Sequence, residues 1–508
     1  MNKKNFWLGF WLILVLAFLQ RIIPLRNNNF YFTMDQGNDA VHVREIWFRG
    51  QLLLLGPETG LPGLFAGPLW YYFIGFGYFL FGGHPFGGLL MVILLNVSLV
   101  GIVMTKIKKE VSSSWAIFVG ACLQTSWWFY DTSRYAFNPF PLVFLAFMLI
   151  FSLIDFLAGK EKGYLWAAVF VGLGFNTEVA GSMAFAFFLI FIGLWSVIKK
   201  RSSWKNIFLG WVIVGLFFVP HLLSETSSGF SQTHTLLNEI GNPNGIFSER
   251  TFAVITPRFL TVVSRSILRQ VPEIGFLSFT LIVLLVFKKW GTKRKINSFT
   301  KRFVSLSLAL LIISWLWFSS NKGWQDWQTV YLSPLIFVSF LLLLHELKKE
   351  IALALFLVSL ISHLLIMKDR YLEYLHPKAD PSLLTNELQA IDWVYQESGG
   401  KGFYVYSYLP SVLDYPYQYL FWWYGRQKYG YLPCEYASFP NAPGLFVPNK
   451  KYYERPQKPC TDLRFLIIEP DENTINQDQW LSAISQNTKL LEATTVGQIK
   501  VEKRLILK

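Results

Sequence analysis

Apolar runs of about 17 to 20 residues recur from the N-terminus through Met367, each long enough to cross a hydrocarbon core of roughly 30 Å as a helix. That recurrence narrows the fold before any single residue is considered. The alternation of a membrane β-barrel is absent, so the crossings are read as helices that satisfy their backbone polar groups internally. Composition agrees: of 508 residues, 53% are hydrophobic and 15% charged, against about 25% charged in a soluble domain. The chain reads as an integral membrane protein.

Eleven spans are expected, at residues 6–24, 86–105, 114–130, 139–158, 163–177, 180–198, 206–220, 272–288, 302–319, 329–345 and 350–367. The first follows Lys3 and Lys4 as a secretory signal would, but it is long and has no small-residue cleavage site after it, so it is expected to be retained. A net charge of +14 first suggests a nucleic-acid partner. The basic residues, however, sit between spans, as "KIKKE" from Lys106, "KKRSSWK" from Lys199, "KKWGTKRK" from Lys288 and "HELKKE" from His345. Loops of that kind face the cytoplasm, and no nucleic acid is expected. With the N-terminus inside, the short outer loops hold only Arg134 and Lys322, and everything from Lys368 lies outside. The aromatic segment "GPLWYYFIGFGYFLFG" from Gly67 is short, and counting it as a crossing would turn every later basic cluster outward. It is therefore placed as a helix on, or dipping into, the outer interface.

The expected fold class is mainly α: a polytopic helical membrane domain over residues 1–367 and a small extracytoplasmic α/β domain over residues 368–508. In the latter, "SLLTNELQAIDWVYQES" has helical spacing, "GFYVYSY" and "RFLIIEP" read as strands, and "KLLEATTVGQIKVEKRLIL" reads as a hairpin. The stretch "YQYLFWWYGRQKYGYLP" either packs a core, the preferred reading, or meets membrane or sugar through its aromatic faces. Cys434 and Cys460 lie in this tail and either pair or stay free, which spacing does not decide; Cys122 falls inside a span.

Two long outer segments remain, residues 25–85 and 221–271. The first contains "YFTMDQGNDAVHVREI", which crowds Asp35, Asp39, His42, Arg44 and Glu45 into eleven residues. Asp35 is suited to cap a helix running to about Phe48. On that helix Asp39, His42 and Glu45 fall on one face, and Ala40, Val43 and Trp47 on the other. The residues alone leave two readings open: a cap with a solvated polar face, or chemistry at the membrane surface.

The motifs "MDQGNDAVHVREIW" and "GPLWYYF", in this order after a first span, resemble the GT-C glycosyltransferases that use lipid-phosphate-linked sugars, notably the protein O-mannosyltransferase, aminoarabinose transferase and RgtA/B/C/D-like group. The resemblance covers about the first 370 residues and rests on short motifs. It implies Asp35 as the catalytic acidic residue, with Asp39 one turn on, and Arg44 and Tyr71 among the substrate-binding residues. This sequence departs from the pattern at Gln36, where a second acidic residue is usual, at Ala66 and Gly67, where some relatives carry charged or metal-binding groups, and at Asn138 of "SRYAFNPF", where Asp is frequent. Glu225 of "LLSETSSGF" matches an acidic position, but Thr226 follows where a metal-binding His can occur.

Moving a sugar from a polyprenyl phosphate to a hydroxyl needs a base for the acceptor proton and stabilisation of the departing phosphate. Phosphate leaves without a general acid, so one carboxylate suffices, unlike the pair of a glycosidase. Asp35 is the expected base, Asp39 orients the acceptor or raises the base's pKa as a nearby like charge, and inversion at the anomeric carbon follows. For the phosphate the first candidate is Arg134, with Arg250, Arg258, Arg265 and Arg269 behind it; the alternative for each is snorkelling to lipid headgroups. Glu178 of "GFNTEVAGS" either lines the substrate site or sits in a plain outer turn. No cofactor is expected. His221, His234 and Glu225 form only a loose pattern for a divalent metal.

The expected partners are a polyprenyl-phosphate sugar donor, a glycan, lipid or protein hydroxyl acceptor, and membrane lipid. A transporter or flippase of a lipid-linked glycan is the competing reading. It predicts polar or broken-helix sites at mid-membrane in two similar halves, whereas here the polar groups collect in outer loops.

Overall fold

A computed structural model describes residues 2–242, 245, 251–268, 272–290, 296–321, 324–376, 379–411, 413–441 and 447–507. The membrane part contains α1 (Lys3–Ile22), α2 (Met34–Trp47), α3 (Leu69–Leu80), α4 (Phe86–Glu110), α5 (Ser113–Thr125), α6 (Trp127–Asp131), α7 (Pro141–Leu157), α8 (Lys162–Gly174) and α9 (Val179–Ile198). It continues through α10 (Trp204–Leu216), α11 (Val219–Ser227), α12 (Ser231–Gly241), α13 (Phe252–Ile267), α14 (Pro272–Trp290), α15 (Ser298–Ser319), α16 (Leu332–Leu344) and α17 (Lys349–Leu375).

Each of the eleven expected spans contains helix, though that at 114–130 breaks at Ser126 between α5 and α6 and that at 163–177 ends at Gly174. Among the described residues, six helical segments are long and apolar enough to cross a membrane unaided, and α10 with α11, bent by 51°, makes a seventh. Pro220 at the start of α11 accounts for the bend, since it cannot continue the hydrogen-bond ladder of α10. The shorter helices are held by their neighbours. Every residue of α16 is buried, which suits a helix apolar on all sides and wrapped by others. The aromatic segment forms α3, whose 12 residues reach about 18 Å. Its Phe76, Phe79 and Leu80 are exposed, as an interfacial helix requires.

The last span does not stop at Met367. Its helix runs to Leu375, and the α/β part begins beyond it with α18 (Leu384–Glu397), β1 (Gly402–Tyr408), α19 (Tyr415–Leu420), β2 (Glu435–Ala437), β3 (Cys460–Ile468), β4 (Thr488–Val496) and β5 (Ile499–Ile506). The sheet order is β2-β1-β3-β5-β4. β1 runs parallel to β2 and β3, and β4–β5 is the antiparallel hairpin expected from sequence, turning at Gly497 with φ of +59°. Cys434 and Cys460 form a disulfide with a Cα separation of 5.9 Å. Residues Tyr415 to Trp423 of the aromatic stretch are buried, so core packing is its role.

This sheet region does not fold around a core of its own alone. One continuous apolar cluster joins Val41, Trp70 and Ile93 of the membrane part to Leu388, Tyr419 and Phe465. Backbone bonds fasten the first outer segment to α18: Phe32 N–H donates to Ser382 O and Leu384 N–H to Phe30 O, both at 2.9 Å. Tyr419 and Trp423 donate to the carbonyls of Gly83 and Gly82, closing the region over the turn after α3.

Candidate active site

The start of α2 differs from its sequence reading. The N-cap is Thr33, not Asp35. Gln36 Oε1 accepts from the Thr33 backbone N–H (3.0 Å) and hydroxyl (2.6 Å), and its Nε2 donates to Ala136 O at 2.8 Å. Where relatives carry a second acid, this amide both completes a capping box and ties the helix to the turn after α6. Asp35 is thereby released from capping. Its side chain is exposed and stands in the first turn. The protein walls around it thin its hydration and raise its pKa above the usual carboxylate range.

The expected solvated face of α2 is in fact buried, because α3 and the sheet region cover it. Asp39 is 6% exposed and accepts from Trp70 Nε1 at 2.7 Å. Burial holds its pKa well above normal; the Trp70 bond works against that and the Asp35 charge adds to it. The expected like-charge effect falls on Asp39, whose pKa the Asp35 charge helps to raise, whereas at Asp35 burial is the cause. His42 bonds Asn38 O through Nδ1 at 2.8 Å and stacks on Tyr71 at 5.4 Å. Tyr71 is 2% exposed and backs α2 through this ring contact.

Arg44, expected to bind substrate, is instead enclosed by the sheet region. Its guanidinium lies 3.6 Å from the Tyr453 ring centroid and 5.4 Å from that of Trp422, with the Glu45 carboxylate at 3.9 Å. Glu45 in turn accepts from Tyr453 Oη (2.6 Å), Asn449 Nδ2 (2.8 Å) and Arg49 Nη1 (2.7 Å). These charges dock α2 against residues 448–453.

Three other expected site residues serve backbone. Asn138 Nδ2 donates to Thr177 O at 2.7 Å. Glu178 caps α9, its two oxygens accepting from the N–H groups of Ala180 and Gly181. Glu225 caps α12, accepting from Gln232 N–H at 3.0 Å and from Thr233 N–H at 2.9 Å. His221 Nε2 bonds Phe65 O at 2.8 Å. Among the described residues no three His, Cys, Asp or Glu side chains come together as metal ligands.

Arg134 is different. It is 2% exposed and lies 3.8 Å from the Tyr374 ring centroid, yet among the described residues Nε, Nη1 and Nη2 all lack a hydrogen-bond partner. Burying a guanidinium without partners is costly unless an anion is to be bound. In the chain Asp35 precedes Gln36 and Arg134 stands two residues before Ala136, so both lie beside the Gln36–Ala136 bond; burial pushes the phenol of the intervening Tyr135 up, helped by the charges of Asp131 and Asp35. Of the remaining arginine candidates, Arg258 lies over Trp324 and the Arg265 carbonyl accepts from Trp128; Arg250, Arg269 and the loop residue Lys322 lie outside the described residues. Sequence reasoning missed Gln36, Trp70 and Tyr374. Only Trp70, inside the "GPLWYYF" motif, carried a local signal.

Residues 66–223 match the family model described as dolichyl-phosphate-mannose-protein mannosyltransferase. No curated protein matches the sequence significantly. Among solved structures, the chain is similar to ArnT from Cupriavidus metallidurans bound to undecaprenyl phosphate, with a TM-score of 0.58 and 12% identity over 99% of this chain and 98% of that one. The apo state of the same protein gives a TM-score of 0.57 and 14% identity over the same shares. The likeness thus extends through the sheet region, beyond the 370 residues that carry the motifs. The chain is thus a multi-pass membrane protein with an ArnT-like fold, and its residues 66–223 match a mannosyltransferase family model.

Proposed function

We propose that this protein moves a sugar from a polyprenyl-phosphate donor to a hydroxyl acceptor at the outer face of the cytoplasmic membrane, with inversion and with Asp35 as general base. The observation that carries this reading is the pairing of an exposed carboxylate, Asp35, with a buried guanidinium, Arg134, that has no hydrogen-bond partner among the described residues, the two standing at either end of the Gln36–Ala136 hydrogen bond in the chain. The acceptor proton passes to Asp35, the acceptor oxygen bonds the anomeric carbon, and the bond from that carbon to the phosphate oxygen breaks with its electron pair on the phosphate. Arg134 supplies the positive charge that the phosphate requires, so the scheme calls on no metal. The ArnT structure bound to undecaprenyl phosphate supports a lipid phosphate as donor. The eleven expected spans, counted from a cytoplasmic N-terminus, would leave α2, the α6–α7 turn and the sheet region outside, and the Cys434–Cys460 disulfide supports that side, since disulfides persist there.

The test is release of polyprenyl phosphate from a panel of polyprenyl-phosphate sugars by purified wild type and Asp35→Asn. Loss of a positioned base costs about 10²- to 10⁴-fold in rate. Equal release by the two proteins removes Asp35 from the mechanism.

A further inference from the structure

Tyr130 sits four residues before Arg134, in α6, and is fully buried. Its hydroxyl has no hydrogen-bond partner among the described residues. The ring is fixed on several sides. Arg21 Cζ lies 5.5 Å from its centroid, Trp127 packs at 6.0 Å and Tyr371 at 6.3 Å. Arg21 is itself held, Nε donating to Asn96 Oδ1 at 3.1 Å and Nη1 to Ala17 O at 2.9 Å. The cations acting electrostatically on the phenol are Arg134 first and then Arg21. Two neighbouring groups on one short turn thus carry four polar atoms without protein partners: the Tyr130 hydroxyl and the three Arg134 nitrogens. An unmet buried donor is a standing cost that a ligand with several acceptor oxygens removes.

We infer that the Tyr130 hydroxyl is a second hydrogen-bond donor to the phosphate group bound by Arg134, held in place by the guanidinium of Arg21 against its ring. The inference rests on the lipid-phosphate reading and deepens it. A glycosyl phosphodiester carries one negative charge and the departing phosphate monoester two. A neutral phenol O–H directed at those oxygens gains strength as the second charge develops, which favours the transition state over the bound substrate. Arg21 is a positioning residue: its Nε and Nη1 serve Asn96 and Ala17, Nη2 has no hydrogen-bond partner among the described residues, and the guanidinium bears on the Tyr130 ring.

Tyr130→Phe isolates this contact, since it keeps the packed ring and deletes only a hydroxyl that has no hydrogen-bond partner among the described residues. Binding to wild type, Tyr130→Phe and Arg134→Met is measured with farnesyl phosphate, inorganic phosphate and farnesol, alongside thermal unfolding without ligand. The expected result is about tenfold weaker farnesyl phosphate binding by Tyr130→Phe, with an unfolding midpoint equal to or above wild type, and with kcat falling more than KM rises. Farnesyl phosphate bound equally by wild type and Tyr130→Phe, but weakly by Arg134→Met, overturns the Tyr130 contact and leaves the phosphate reading standing. Equal binding by all three proteins overturns the phosphate reading itself. Inorganic phosphate binding as tightly as farnesyl phosphate assigns the site to free phosphate and overturns the lipid donor.

Discussion

Trp70 Nε1 donates to Asp39 Oδ2 at 2.7 Å, joining the interfacial helix α3 to the middle of α2 inside the protein. This bond separates two aspartates that the sequence sets one turn apart. Asp35 faces water, whereas Asp39 is enclosed and has its pKa raised well above normal, first by burial. The same side chain therefore does different work at the two positions.

Asp39→Asn is expected to preserve turnover within a few-fold, because the amide oxygen still accepts from Trp70. The stability effect has a definite sign. The unfolded chain releases the Asp39 proton near pH 4 while the folded chain keeps it, so this group lowers stability as pH rises above about 4. Thermal unfolding of Asp39→Asn across pH should show a shallower decline than wild type. A loss of turnover comparable to that of Asp35→Asn would return Asp39 to the chemistry.

Asp35 acts as a base only when deprotonated, and its surroundings raise its pKa. The rate at limiting substrate is expected to climb with pH through a midpoint above the ordinary carboxylate value of about 4. A flat profile from pH 4 to 7 contradicts the assignment.

Glu469 supplies a second pH dependence, in the sheet region. Burial raises its carboxyl to about 7, opposed by the Tyr417 hydrogen bond and assisted by the Asp380 charge. Its folded pKa exceeds its unfolded one, so stability is greatest below about pH 4.5 and falls as pH rises to about 7, by an amount on the order of 3 kcal/mol. Glu469→Gln should remove that portion of the slope; chemical denaturation at pH 5 and pH 7.5 measures it.

Gly37 marks the tightest approach between α2 and the sheet region. A Cβ there would stand 2.7 Å from Pro416 Cδ and from the Tyr415 carbonyl carbon. Both neighbours are rigid, so Gly37→Ala is expected to cost about 1–3 kcal/mol and to lower activity by shifting α2. An unchanged unfolding midpoint would show that α19 yields at this contact.

Glu178→Ala tests a residue that sequence reasoning offered to the substrate site. Its oxygens cap α9, so the substitution should lower stability by about 0.5–2 kcal/mol and leave KM for donor and acceptor unchanged. A KM change without a stability loss would restore the site role.

Apolar run length determined the helical membrane architecture from the sequence alone, because a backbone in lipid must satisfy its own polar groups. The placement of lysines and arginines allowed α3 to be read as non-crossing, and the segment is indeed one short helix of 12 residues. The strands of "GFYVYSY" and "RFLIIEP" and the final hairpin were likewise legible, since alternation and turn residues are local signals. Asp35 and Arg134 were also picked out from sequence as carboxylate and cation near the outer surface. What only the tertiary structure decided is which polar groups remain free. Arg44, Asn138, Glu178 and Glu225 look as reactive in sequence as Asp35 and Arg134, yet each is engaged by a ring, a carbonyl or a helix end. The partners of Arg44 lie about four hundred residues away in the chain, and no local pattern encodes contacts of that range. Burial without a hydrogen-bond partner is a property of the packed chain: among the described residues it holds for all three Arg134 nitrogens and the Tyr130 hydroxyl, and also for Nε and Nη1 of Arg44.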